Sequence, residues 1–184
     1  MAASAIEKKK YSYEDYLNTP EDKRYELIEG ELYITPSPIT NHQRISGRID
    51  FELRKFVLDN DYGEVFDAPY DVYFDDENVV QPDILFISKD RLNIIGDKNL
   101  QGAPDLVIEI LSENDAYRDL IQKKKLYARF GVKEYWIVVL GEKTIDIYIL
   151  KDKAYQLYKV FGEIDTLESQ FLKGFKIELK GIFK

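Results

Sequence analysis

The sequence predicts a mixed α/β fold with helices packed on the faces of a sheet. Three observations carry this. Residues 41–60 and 114–130 place apolar side chains at helical spacing. Several short segments between and after them alternate or run apolar, as strands do. Gly, Pro, Asn and Asp punctuate the joints.

In chain order, residues 12–18 read as a short helix, with Ser12 as N-cap and Asp15 three residues on. Thr19-Pro20 ends it. In residues 24–35, Tyr25 and Leu27 alternate, Glu29-Gly30 supplies a turn, and Leu32 and Ile34 continue, which is a hairpin pattern. Pro36-Ser37-Pro38 is a stiff connection to the first long helix. There Ile45, Ile49, Leu53 and Phe56 form one stripe, and Thr40 or Asn41 can cap it. Three strand segments follow at 64–74, 79–87 and 105–111, with a polar turn at 75–78 and a looser stretch at 88–104. The second helix is capped by Asn114 or Asp115, buries Leu120, Tyr127 and Ala128, and stops at Gly131. A strongly apolar strand at 134–140 precedes a β-rich tail of strands at 144–150, 154–161 and 175–179.

Composition removes several function classes. The 184 residues are 45% hydrophobic and 33% charged, which excludes a disordered chain and suits one domain. Cysteine is absent and His42 is the sole histidine, so disulfides, thiolate catalysis and Cys- or His-built zinc sites are excluded. A metal here is bound by oxygen, which favours Mg²⁺, Mn²⁺ or Ca²⁺. No apolar run approaches the roughly 18 residues that span a membrane, and residues 1–10 lack the apolar segment of a signal peptide, so a cytoplasmic protein is expected. The net charge of −8 argues against a broad basic surface for nucleic acid, though not against a local basic groove.

Two carboxylates break the apolar pattern. Asp83 sits inside VVQPDILFI and Glu109 inside DLVIEIL. A charged carboxylate in such a strand costs several kcal/mol unless it is paired, hydrogen-bonded or on a metal. Period 2 puts Asp83 on the face of Leu85 and Ile87, and Glu109 on the face of Val107 and Leu111. Singly, either acid can mark a solvated face or a strand end. Jointly they are the charges set inside two strands without polar alternation, and Pro82 implies a strand start, edge or bulge beside Asp83.

The second helix carries Arg118, Asp119, Lys123, Lys124, Lys125 and Arg129. By pattern this is a solvated basic face with an Asp119–Lys123 pair. Lys123 lies close to the inner stripe, within reach of an attacking water or a scissile phosphate. His42 reads as a polar residue at a helix start, with a phosphate contact or proton transfer as its functional alternative. Glu29 is a turn residue by default and matters only if the turn folds over Asp83. The 14 tyrosines are spread along the chain, which suits core and surface filling more than a base-stacking platform.

The string PDLVIEILSENDAYRDLIQKKKLYARFGVKEYWIVV resembles the central signature of the Uma2 family, also called DUF820. RYELIEGELY, SPITNHQ and VVQPDILFI match that family upstream and in order, and the resemblance covers roughly residues 11–150. It implies the PD-(D/E)XK restriction-endonuclease-like superfamily. The expected architecture is one such domain over 1–184, with an αβββαβ core at about 41–140, an N-terminal hairpin and a β-rich C-terminal extension. In that superfamily two acids on adjacent strands bind Mg²⁺ (or Mn²⁺) and a lysine helps the attacking water. Carried over, Asp83 and Glu109 are the acids, and the main-chain carbonyl of Ile110 adds an oxygen. The lysine position two residues after the second acid is Leu111 here, so Lys123 in the following helix is the migrated substitute, with Lys124 and Lys125 as rivals. Tyr127 stands in the same spacing, and Glu29 and His42 match recurring family positions. The implied activity is metal-dependent hydrolysis of DNA phosphodiester bonds, with a homodimer as the superfamily's frequent form. A catalytically inactive binding module of the same fold and a phosphodiesterase on a non-DNA substrate are the alternatives. The tail from Thr144 either extends the sheet or forms a dimer contact.

Overall fold

The computed structural model describes residues 10–111 and 117–184, with side chains of the second stretch from 121 onward. Helix α1 (Tyr13–Leu17) opens with a full capping box: the Asp15 N–H donates to Ser12 Oγ, and the Ser12 N–H donates to the Asp15 carboxylate. Strands β1 (Arg24–Ile28) and β2 (Glu31–Thr35) pair in register from Arg24↔Thr35 to Ile28↔Glu31. Glu29 and Gly30 make the turn at φ 52° and 76°, the doubly left-handed backbone that matches strand twist. Helix α2 (Thr40–Asp59) buries His42, Ile45, Ile49, Leu53 and Val57. Ile39 occupies its cap position with no side-chain bond, so neither Thr40 nor Asn41 caps it as the sequence suggested.

The middle of the chain breaks into more strands than expected. β3 (Gly63–Asp67) and β4 (Val72–Asp75) replace the single segment 64–74, and β5 (Asn78–Val80) and β6 (Ile84–Ser88) replace 79–87. Pro69 and Pro82 stand at the two breaks, where a residue without an N–H cannot continue the ladder. After a 3₁₀ turn (Lys89–Ile94) come β7 (Leu100–Gln101), β8 (Leu106–Leu111), α3 (Tyr117–Phe130) and β9 (Glu134–Val139). The tail forms β10 (Thr144–Lys151), β11 (Ala154–Gly162), β12 (Thr166–Glu168), β13 (Lys176–Glu178) and α4 (Leu179–Ile182).

The strands build a six-stranded sheet in the order β11-β10-β9-β8-β6-β3 and a five-stranded one in the order β2-β1-β5-β4-β7. In the larger sheet β8 and β9 run parallel and the other pairs antiparallel. The tail therefore extends this sheet through β10 and β11. On one face the α2 stripe packs with Ile84, Phe86, Leu106, Ile108, Trp136 and Val138. On the other face Leu126 and Tyr127 of α3 pack with Leu85, Ile87, Val107, Tyr135 and Ile137. Central strands covered on both faces have no solvated side, which is why their sequences lack polar alternation. Helix α3 ends as expected, with Gly131 at φ 87° and its N–H on the Tyr127 carbonyl. The expected cap at Asn114 or Asp115, and the side chains of Arg118, Asp119 and Leu120, lie outside the described residues.

Two buried carboxylates tie these layers together. Glu134 accepts from Trp136 Nε1 (2.6 Å), Ser169 Oγ (2.8 Å) and the N–H groups of Gln170 (2.9 Å) and Phe171 (2.7 Å), fastening the tail to β9. Asp105, with no exposed surface, accepts from Arg91 (2.7 Å), Lys133 (2.7 Å) and the Ser88 N–H (2.8 Å). Burial alone would raise the Asp105 carboxyl, but Lys133, Ser88 and Arg91 outweigh it and hold it below its ordinary value. Asp105→Ala is expected to lower the unfolding free energy by about 3–5 kcal/mol, measured by urea denaturation. Because the folded carboxyl is depressed, this contribution is present at neutral pH and fades as acid protonates the native state. An unchanged denaturation midpoint would remove Asp105 from the stabilising network. Among the described residues no helix is long and apolar enough to cross a membrane.

Candidate active site

The site forms where the β6–β8 ladder opens. Pairing of these strands ends at Ile84↔Ile108, while β8 continues alongside β9 to Leu111. Beyond that point the Asp83 side chain stands in for the missing strand: its Oδ2 accepts the Ile110 N–H at 2.8 Å. The Asp83 carbonyl accepts the Ala68 N–H at 3.0 Å, which fixes the backbone from the other side. Glu109, next to Ile110, projects by strand alternation onto the α3 face, where Lys123 and Tyr127 stand one helical turn apart. Glu109 Oε1 accepts the Tyr127 hydroxyl at 2.5 Å and lies 3.1 Å from Lys123 Nζ. His42, in the first turn of α2, brings Nε2 to 3.2 Å from Asp83 Oδ2.

Asp83, Glu109, Ile110, His42, Lys123 and Tyr127 are thus gathered into one cluster. Glu29 and Lys124 are not. The left-handed turn leaves Glu29 exposed, its N–H held by Asn78 Oδ1 at 2.9 Å, away from the cleft. Lys124 points around the helix to β10, with its ammonium 3.3 Å from the Tyr148 ring centroid. Lys123 is not part of a solvated basic face; its side chain is 14% exposed.

The acid that sequence reasoning missed is Glu26. Its Oε1 lies 2.8 Å from Lys123 Nζ and accepts the Gln81 N–H at 2.8 Å. In β1, Tyr25 and Leu27 face α1, so period 2 turns Glu26 and Ile28 towards the cleft. The signal was present: YELI is a third apolar strand broken by one carboxylate, as VVQPDILFI and DLVIEIL are.

One ammonium therefore serves two buried carboxylates. Burial pushes Glu109 up to about 7; Lys123 opposes the shift, and Asp83 and Glu26 add to it. For Lys123, burial works against the charged form, but Glu109 and Glu26 outweigh it and keep the amine protonated well past its ordinary range. Burial and Glu109 hold the Tyr127 phenol protonated, so it remains a donor.

Glu26, Asp83, Glu109 and Lys123 floor a cleft of about 170 Å³, whose walls are β1, β2 and the Pro36–Ile39 connection on one side and Ile110 and Leu111 on the other. Among the described residues no three His, Asp or Glu side chains converge as a ready-made metal cage. Mg²⁺ does not need one. It takes one or two carboxylates and fills its remaining positions with water and substrate phosphate. Asp83 and Glu109, with the Ile110 carbonyl, match that all-oxygen requirement.

A family model described as "Uma2: Putative restriction endonuclease" matches residues 12–180. The chain belongs to the Uma2 family. Its mixed α/β architecture is shared with a solved structure described as "a putative nuclease belonging to DUF820 from Anabaena variabilis ATCC 29413". That likeness has a TM-score of 0.78 at 20% identity and covers 94% of this chain and 97% of the other. A search of curated proteins finds no match. In this Uma2 chain the position two residues past Glu109 is Leu111, on the cleft wall, and a lysine reaches Glu109 from α3 instead.

Proposed function

We propose that this Uma2 protein is a metal-dependent endonuclease that hydrolyses DNA phosphodiester bonds. The observation that carries the reading is the convergence of Asp83, Glu109 and Lys123 on a cleft floor at the point where the β6–β8 ladder opens. Asp83, Glu109 and the Ile110 carbonyl would hold Mg²⁺ or Mn²⁺, which would acidify a water and offset charge on the phosphoryl oxygens. Lys123 adds a fixed positive charge beside the scissile phosphate, and its burial, with the side chain 14% exposed, leaves that charge weakly screened. Glu26 holds Lys123 in place, Tyr127 fixes the Glu109 rotamer, and His42 does the same for Asp83.

The test compares wild type with Asp83→Asn on supercoiled and single-stranded DNA, with Mg²⁺ or Mn²⁺ at low salt. Metal-dependent cleavage that falls at least about a hundredfold in a folded variant is the expected result. No cleavage by folded wild type, with no heat on Mn²⁺ titration, would instead favour a binding module in which the acids form a polar network.

A further inference from the structure

We infer that the strand this cleft accepts is unpaired, and that Arg24 is the side chain that seats it. The inference rests on the nuclease reading above and adds the state of the DNA. The carboxylates are recessed: the Asp83 side chain is 19% exposed and the Glu109 side chain 9%. A reacting phosphate must therefore descend to them. The cleft holds about 170 Å³, against roughly 150 Å³ for a cavity that admits one benzene-sized ring. It has room for part of one nucleotide. A paired strand cannot lower one phosphodiester into such a space, because its base stays stacked in the rod and its partner strand meets the walls.

The charges agree. Among the described residues lining the cleft, three carboxylates face two side-chain cations, Arg24 and Lys123, and Lys123 is committed to Glu26 and Glu109. Proteins that track duplex phosphates neutralise about 6–10 of them with Lys and Arg. Here the wall offers Arg24, half-buried at the start of β1, with one N–H on the Pro36 carbonyl at 3.1 Å and the rest of its fork available to a phosphate. Beside it the wall carries Tyr33, Pro38 and Ile39, the last 54% exposed, together with the small polar Thr35 and Ser37. Tyr33, Pro38 and Ile39 suit splayed bases, which present flat apolar faces.

The experiment measures kcat/KM with Mn²⁺ on a short end-labelled DNA oligonucleotide, alone and annealed to its complement, across a salt series. The single strand is expected to be cut at least about tenfold faster, with a shallow salt dependence, since each neutralised phosphate adds about 0.7 to the logarithmic slope. Arg24→Ala is expected to lower kcat/KM on the single strand by about 10- to 100-fold, chiefly through KM, and to flatten the salt slope, with Arg24→Lys recovering part of the loss. Equal cutting of both forms, or an Arg24→Ala variant indistinguishable from wild type, overturns the inference and leaves the nuclease reading standing. Absence of Mn²⁺ binding together with absence of cleavage overturns both.

Discussion

Glu109→Gln is expected to lower DNA cleavage by well over about a hundredfold, the upper end of what loss of an outer partner of a metal ligand costs. The amide has the shape of the carboxyl group and still accepts the Tyr127 hydroxyl, so the fold is expected to survive. Loss of cleavage then reports on the donor set and not on packing. The stability of the metal-free proteins gives an independent reading. Burial raises the Glu109 carboxyl to about 7 from an ordinary 4.5. The native state thus binds a proton that the unfolded chain has released between those values, and stability falls as pH rises through the window. The glutamine variant lacks this contribution. Urea unfolding of both proteins in chelator across that range should show wild type losing stability towards pH 7 relative to the variant. A wild type that gains stability there would mean that Lys123 dominates and Glu109 is ionised throughout.

Lys123→Met is expected to be the more damaging change to the resting protein. It removes the ammonium shared by Glu26 and Glu109 and leaves both carboxylates buried without it. Breaking one side of a buried ion pair costs about 3–5 kcal/mol, and that loss should appear at neutral pH and shrink in mild acid as one carboxyl takes up a proton. Cleavage should fall with it. Mn²⁺ should raise the melting temperature of the variant more than that of wild type, because a bound cation restores the missing positive charge. Lys124→Ala is the matched comparison: it removes a contact with Tyr148 and leaves cleavage at the wild-type level. Cleavage lost in Lys124→Ala and kept in Lys123→Met would transfer the role by one residue.

The site was legible in the sequence wherever burial and charge conflict within one strand. Asp83 and Glu109 stood out because their neighbours are apolar on both sides, and the structure shows those neighbours buried on both sheet faces. The sequence left Lys124 and Lys125 as rivals to Lys123; in the structure residue 123 shares a face with Tyr127 and reaches Glu109, while residue 124 turns about 100° away to Tyr148. Glu26 did not stand out because Arg24, Glu29 and Glu31 surround it, so one more charge in that stretch reads as the solvated face of a hairpin. The splitting of residues 64–74 and 79–87 into strands of two sheets was not legible. Alternation reports which side of a strand is buried, and it is silent about which sheet the strand joins. The prolines marked the breaks without giving the destinations.

The acids come from two different sheets. Asp83 and Glu109 belong to the β6–β8 opening of the large sheet, whereas Glu26, Arg24, Tyr33 and Ile34 ride on the β1–β2 hairpin of the small one. The hairpin meets its own sheet at one register position, Leu27↔Val79, and its outer strand β2 has no further strand neighbour among the described residues. The proposed metal-holding acids and the proposed substrate wall, which also carries Glu26, therefore stand on separate pieces of architecture. Substitutions along β2 can alter what enters the cleft without disturbing the strands that hold the acids. A family built on this plan can diversify its targets while keeping one reaction.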